Sequence, residues 1–211
     1  MLKLIGVYDY TVILTYLGLL SAVFGMTQAS QGNFITAIFC LAFSGLCDTF
    51  DGRVARTKKD RTEDEKSFGV QLDSLCDVIC FGVFPAMLCY HMGVNGPFGI
   101  AVVFFFCLCA VIRLAFFNVL EINHGKEEGE GGKGYRGLPV TSIGIILPTL
   151  FWLHLLLSEA AFVAMLHGIL LLVGFLFILD FKMPKPGLKH ILALMALGFA
   201  IVGAILLAAY C

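Results

Sequence analysis

Charged residues are scarce in this sequence: Asp, Glu, Lys and Arg together make up 14% of its 211 residues. A soluble domain of ordinary composition carries about a quarter, so the sequence excludes an ordinary soluble protein. Positive charge is not in excess either, because 14 basic residues stand against 15 acidic ones. A chain without net positive charge has no strong electrostatic attraction for nucleic acid, and we expect no nucleic-acid partner.

Hydrophobic residues dominate the sequence and lie in long runs. Hydrophobic residues make up 59% of the chain, and its mean hydropathy is +0.93. Apolar runs long enough to cross a bilayer occur at Tyr10–Met26, Asn33–Thr57, Phe68–Met92, Phe98–Leu120, Pro139–Leu157, Ala160–Asp180 and Leu188–Tyr210. We predict an all-α polytopic transmembrane helical bundle of six to eight spans, seven by this count, with no cleavable signal peptide. Residues 1–211 are expected to form a single integral-membrane domain.

Cysteine is present but has no soluble loops to link. Seven of the eight cysteines lie in the apolar runs. We interpret them as reduced thiols that pack as small apolar side chains.

The basic residues predict the orientation in the membrane. The connectors after the first, third and fifth runs hold no lysine or arginine. The other connectors hold Lys58, Lys59, Arg61, Lys66, Lys126, Lys133, Arg136, Lys182, Lys185 and Lys189. By the positive-inside rule, the basic connectors and the N-terminus are cytoplasmic. We therefore expect an integral cell-membrane protein in which the junction of the second and third runs lies at the cytoplasmic side.

Four aspartates flank that junction. Asp48 and Asp51 fall near one face of a helix, and Asp73 and Asp77 are spaced i, i+4 on the next. An aspartate deep in a bilayer costs about 2.5–3.5 kcal/mol, so four without compensation would cost on the order of 10 kcal/mol. Divalent cations, which prefer oxygen ligands, would compensate this charge.

Small residues accompany the aspartates. Gly52 and Ala55 follow Asp51, and Gly69 precedes Asp73 by one helical turn. They leave room for a ligand to approach the backbone. The alternative is a set of structural ion pairs, but charge pairing alone does not require glycine or alanine at these positions.

With these residues the sequence resembles the CDP-alcohol phosphotransferases. The shared pattern is Asp-x-x-Asp-Gly-x-x-Ala-Arg followed by Gly-x-x-x-Asp-x-x-x-Asp, and it spans 48–77 on the second and third runs. Its fixed positions are filled by Asp48, Asp51, Gly52, Ala55, Arg56, Gly69, Asp73 and Asp77. The sequence departs from the family in the polar segment 57–68, which is longer than usual and whose residues 57–66 are predicted to form a loop.

The resemblance implies a reaction and a site. The family transfers a substituted phosphate from a CDP-linked donor to an alcohol and releases CMP. It implies Asp48, Asp51, Asp73 and Asp77 as ligands of a divalent metal, Mg²⁺ or Mn²⁺, with two ions expected. Asp77 would also be the general base. Gly52, Ala55, Arg56 and Gly69 would bind the CDP diphosphate, and the chain would be a homodimer in the lipid membrane.

The acceptor alcohol is indicated by the residues in and around the signature, at 50–56, 72–77, 113–118 and 135–139. They look like the phosphatidylserine synthase branch, which uses CDP-diacylglycerol and L-serine. Branches that use glycerol phosphate or inositol phosphate usually have proline where Ser74 stands. Phe116 departs from this branch, which commonly has an arginine at that position. Transfer to glycerol 3-phosphate or inositol phosphate is the nearest alternative. An intramembrane prenyltransferase and a cation transporter are remote ones.

Four residues are candidates for binding serine: Arg113, Asn118, Tyr135 and Arg136. An arginine inside an apolar run suggests a functional role, and a guanidinium suits the serine carboxylate. Asn118 could orient the amine or the hydroxyl. The alternatives are a snorkelling Arg113 and an interfacial anchor formed by Tyr135 and Arg136.

Overall fold

The computed structural model describes residues 5–124 and 135–183. Its helices are Tyr10–Val12 (3-10), α1 Ile13–Ser30, α2 Phe34–Ala55, α3 Glu63–Asp77, Val78–Val83 (π), α4 Phe84–His91, α5 Gly96–His124, Val140–Ser142 (3-10), α6 Ile143–Phe151, Trp152–Leu155 (3-10) and α7 Glu159–Ile178. Two short strands, β1 Tyr135–Arg136 and β2 Lys182–Met183, form an antiparallel pair.

Within the described residues, five helices are long and apolar enough to cross a membrane, and the chain is an integral membrane protein. They are Tyr10–Ser30, Phe34–Ala55, Glu63–His91, Gly96–Leu120 and Glu159–Ile178. A shorter apolar helix, Val140–Leu155, corresponds to the fifth predicted run. The predicted helical bundle is confirmed, and its seventh run, Leu188–Tyr210, lies outside the described residues.

The outer surface is apolar. Leu20, Phe104 and Leu172 are 64%, 65% and 60% exposed, and many other large apolar side chains are exposed with them. A soluble protein rarely leaves so much contiguous apolar surface in water, whereas lipid tails accommodate it.

Small residues let the helices pack closely. Ser44 Oγ in α2 donates a hydrogen bond to Gly18 O in α1 at 2.8 Å. Gly25 faces Phe84 so closely that an added Cβ would lie 2.3 Å from the ring. In a membrane, such close approach is a main source of helix association, because lipid removes the hydrophobic driving force between helices.

The start of α3 differs from the sequence prediction. Residues 57–66 were predicted to be a loop, but α3 begins at Glu63. The reason is a capping box: Thr62 Oγ1 accepts from the Glu65 N–H, and Glu65 accepts from the Thr62 N–H. Three acidic residues in the first turn further stabilise this helix end.

A π-helical segment joins α3 to α4. It begins at Val78, directly after Asp77, and the Phe84 N–H bonds to Ile79 O, five residues back. Pro85, in the first turn of α4, lacks an N–H and would crowd the carbonyl four residues before it. A widened turn accommodates the proline, and such turns are frequent at functional sites.

The β1–β2 pair was not predicted. It joins the segment before α6 to the segment after α7, with Tyr135 opposite Met183. The adjoining Gly137 N–H donates to Phe181 O at 2.8 Å. Gly137 has φ +72°, and an added Cβ would lie 2.9 Å from Leu179 O, so glycine is required there.

We expect Gly25→Ala to lower the free energy of unfolding by about 1–3 kcal/mol, because the methyl group overpacks against Phe84. Thermal unfolding in detergent measures this. The matched control is Gly168→Ala in α7, where an added Cβ meets nothing within 4 Å. Equal unfolding midpoints for the two variants would contradict the packing described here.

Candidate active site

Four aspartates from α2 and α3 converge on one cavity bounded by α1, α2 and α3. One carboxylate oxygen from each of Asp48, Asp73 and Asp77 lies within 4.8 Å of the others. Asp48 comes from α2, whereas Asp73 and Asp77 come from consecutive turns of α3. The structure thus brings together aspartates that the sequence placed on two separate helical stripes.

Asp51 lines the same cavity and makes a further contact to α1. It is 8% exposed, and Thr15 Oγ1 donates to its Oδ2 at 3.1 Å. Its carboxyl group also adjoins that of Asp73. Sequence reasoning missed Thr15, although a hydroxyl inside the first apolar run was an available signal.

The cavity has no positively charged residue in its described lining. It is lined by Leu14, Thr15, Gly18, Ser44, Cys47, Asp48, Asp51, Asp73, Cys76, Asp77, Cys80 and Phe81. Carboxylates gathered in a medium of low dielectric lose hydration and repel one another, so a cation is needed to hold them all ionised. Thiols also line the cavity, but the converging ligand atoms are carboxylate oxygens, which suit Mg²⁺ or Mn²⁺.

The residues predicted to bind the diphosphate belong to α2, its C-cap and α3, and none of them is among the described lining residues of this cavity. An added Cβ at Gly52 meets no atom within 4 Å, so packing does not explain the glycine. Ala55 ends α2, and the exposed Arg56 follows as its C-cap. At Gly69 an added Cβ would lie 2.6 Å from Arg61 Nη2. The binding roles of the four predicted residues stay predictions.

Of the four predicted serine-binding residues, Asn118 and Arg113 lie on α5, and Tyr135 and Arg136 form β1. Asn118 in α5 faces α3, where Ser74 Oγ donates to Asn118 Oδ1 at 2.6 Å. Arg113 is buried five residues earlier in α5, and its Nε donates to Leu138 O at 3.4 Å. Its guanidinium also lies 5.4 Å from the centre of the Phe117 ring.

Tyr135 and Arg136 form β1, and their backbone pairs with β2. Arg113 contacts the segment that directly follows β1, because Gly137 lies against its Cζ. A serine-binding role for Arg113, Tyr135 and Arg136 stays a prediction, as it does for Asn118.

Comparison with known proteins shows the family of this chain. A model of the CDP-alcohol phosphatidyltransferase family matches residues 10–202, which include all four aspartates. The chain belongs to this family.

Among the relatives of this CDP-alcohol phosphatidyltransferase, one from Methanocaldococcus jannaschii is 31% identical over 206 residues, covering 95% of the chain and 86% of the relative. It is named CDP-diacylglycerol–serine O-phosphatidyltransferase. An archaetidylserine synthase from Methanothermobacter thermautotrophicus is 33% identical over 76% of the chain and 65% of that protein. A Saccharomyces cerevisiae relative, with the same name as the first, is 33% identical, but the chain spans 44% of its length.

In this member of the CDP-alcohol phosphatidyltransferase family, Lys58 holds the long segment between α2 and α3 in place through two ion pairs. Lys58 Nζ lies 2.8 Å from Asp9 Oδ2 and 3.1 Å from Glu65 Oε1, so one ammonium links the N-terminal segment to α3. Tyr10 and Thr57 add a hydrogen bond between their hydroxyls at 3.2 Å. Sequence reasoning missed these links, because distant charges in polar segments give no pairing signal.

The Lys58 link makes stability depend on pH. Hydrogen bonds from Lys58 and Thr11 lower the pKa of Asp9 from 3.8 to about 2. The stabilisation is present above pH 3.8 and is lost as the pH falls through about 2. We expect the wild type to unfold at a higher temperature than Lys58→Met at pH 6, and the difference to shrink between pH 4 and pH 2. A difference that stays constant down to pH 2 would contradict the assignment.

Proposed function

We propose that this protein transfers the phosphatidyl group of CDP-diacylglycerol to the hydroxyl of L-serine, which gives phosphatidylserine and CMP. The observation that carries this proposal is the convergence of Asp48, Asp73 and Asp77 in one intramembrane cavity. Family membership supports the reaction class. Serine as the acceptor is supported by relatives that are named for serine transfer.

Asp48, Asp51, Asp73 and Asp77 are proposed to hold divalent metal, Mg²⁺ or Mn²⁺, as two ions. All four line the cavity, and their ligand atoms are of the type that these ions prefer. When bound, the metal would neutralise charge on the donor diphosphate and on the CMP leaving group.

Gly52, Ala55, Arg56 and Gly69 are proposed to bind the CDP part of the donor. The open space at Gly52 lets a diphosphate approach the α2 backbone without a side chain in the way. The exposed Arg56 can donate to a phosphate oxygen. Arg61, whose guanidinium covers Gly69, would have to shift if the donor contacts the backbone there.

Asp77 is proposed to accept the proton of the serine hydroxyl. The serine oxygen then forms a bond to the phosphorus that bears the diacylglycerol, and the bond from that phosphorus to the CMP oxygen breaks. Asp77 ends α3 immediately before the π-helical segment, so its position is set by both helical registers.

Two further proposals concern the setting of the reaction. The active site is proposed to open to the cytoplasm, which is supported by the basic residues of the segment between α2 and α3. The protein is proposed to be a homodimer, as the family resemblance implies. A cytoplasmic opening would let water-soluble serine reach the lipid-embedded donor and let CMP leave.

We expect the purified protein with Mg²⁺ or Mn²⁺ to release CMP from CDP-diacylglycerol when L-serine is added, and to form phosphatidylserine. Glycerol 3-phosphate and inositol phosphate should give only background release. Asp77→Asn should still bind CDP but lose turnover by a factor of about 10² or more, because the proton acceptor is gone. Release of CMP with glycerol 3-phosphate and none with serine would show that the acceptor assignment is wrong.

Metal dependence is tested separately. We expect EDTA to abolish CMP release, and added Mg²⁺ or Mn²⁺ to restore it. Asp73→Asn should raise the metal concentration needed for half-maximal activity by about tenfold or more, because one ligand of the group is weakened. The matched control is Asp64→Asn, the same change at an exposed position of α3. Full activity in EDTA, or equal effects of the two substitutions, would contradict the proposed metal site.

A further inference from the structure

A chain of side-chain hydrogen bonds joins α3 to α5 beside the aspartates. Ser74 Oγ donates to Asn118 Oδ1 at 2.6 Å, and Asn118 Nδ2 donates to Gln71 Oε1 at 3.3 Å. All three side chains are partly buried. None of them belongs to the lining of the aspartate cavity, so the chain of bonds lies outside that cavity, on the α5 side.

Helix geometry places Asp77 between the cavity and this chain of bonds. At about 100° per residue, Ser74 lies about 60° around α3 from Asp77, and Gln71 about 60° farther in the same direction. Cys76, which lines the cavity, lies about 100° from Asp77 in the opposite direction. On the circumference of α3, Asp77 therefore lies between the residues that face α5 and the residues that face the cavity.

The chain of bonds leaves hydrogen-bonding groups unused. Each primary amide carries two N–H donors and a carbonyl with two lone pairs. The bonds of Ser74, Gln71 and Asn118 described above use one N–H of Asn118 and one lone pair on each of the two amide carbonyls. The remaining groups suit a molecule with both an ammonium and a carboxylate. None of the three side chains has the positive charge that a phosphate-bearing acceptor requires.

We propose that Gln71 and Ser74 are positioning residues that orient the Asn118 amide to hold the amino-acid acceptor next to Asp77. The inference rests on the proposed function and assigns roles to two residues outside the signature positions. Ser74 fixes the carbonyl end of Asn118, and Gln71 fixes its amino end, so the amide presents its free N–H in one direction. Specificity for serine then depends on the interface of α3 and α5.

The structural alternative is an interhelical bridge that only stabilises the bundle. Hydrogen bonds between polar side chains are a common link between membrane helices. A bridge of this kind would change the unfolding temperature without changing the choice between acceptors. Loss of a positioning role therefore raises KM for serine more than KM for the lipid donor, whereas loss of a structural bridge does not separate the two KM values.

The test compares Ser74→Ala and Gln71→Leu with Ser74→Thr, which keeps the hydroxyl. CMP release is measured against L-serine, against CDP-diacylglycerol, and against serinol, an acceptor that lacks the carboxylate. We expect Ser74→Ala and Gln71→Leu to raise KM for serine about five- to tenfold, with KM for CDP-diacylglycerol unchanged within about twofold. Their preference for serine over serinol should fall, and Ser74→Thr should restore most of the loss. Thr149→Val is the matched control, since Thr149 Oγ1 donates only to Ile145 O within α6.

The outcomes separate this inference from the proposed function. If the wild type makes no phosphatidylserine, the proposed function fails before any variant is considered. If the wild type is active but Ser74→Ala and Gln71→Leu keep its KM for serine and its preference over serinol, the positioning role is wrong. An equal rise of KM for both substrates, with a lowered unfolding temperature, would also overturn it in favour of a structural bridge.

Discussion

Repulsion among carboxylates in a medium of low dielectric is the constraint on which the rest of this structure depends. Four acidic side chains line a cavity between membrane helices whose described lining contains no basic group. The bundle keeps them together through close packing of α1 on α2, through the Thr15 bond to Asp51, and through the capping box that starts α3. Such an arrangement is stable only if a cation or shared protons reduce the charge. The same repulsion that opposes folding favours the binding of a cation.

Different helices contribute different parts of the region around this cavity. α1, α2 and α3 form its walls, while α5 approaches α3 from another side and brings Asn118 to Ser74. Lys58 links the segment between α2 and α3 to Asp9 and Glu65, close in sequence to the proposed nucleotide-binding residues. In the proposed arrangement, the metal and the acceptor take different faces of α3, while most of the donor-binding residues lie in or next to α2.

The sequence was sufficient for the helical bundle and for placing the aspartates on two neighbouring helices, because long apolar runs and i, i+4 spacing are local properties of the chain. It was not sufficient for Thr15, Lys58 or Gln71, since their partners lie far away in sequence and polar side chains show no periodicity that identifies a partner. The loop predicted for 57–66 was wrong at its end because the Thr62 capping box outweighs the polar composition. The β1–β2 pair was missed because two residues are too few to produce an alternating pattern.

The π-helical turn after Asp77 affects how the third span is interpreted. Each such turn adds roughly one residue to the helix, so the side chains beyond it are rotated by about 100° from where a regular helix would put them. A helical wheel drawn through Glu63–His91 as one uninterrupted rod would therefore assign the wrong faces to α4. The half of this span that bears the aspartates and the half that packs against α1 therefore have different helical phases. One continuous helix can then direct carboxylates into the cavity at one end and pack tightly at the other.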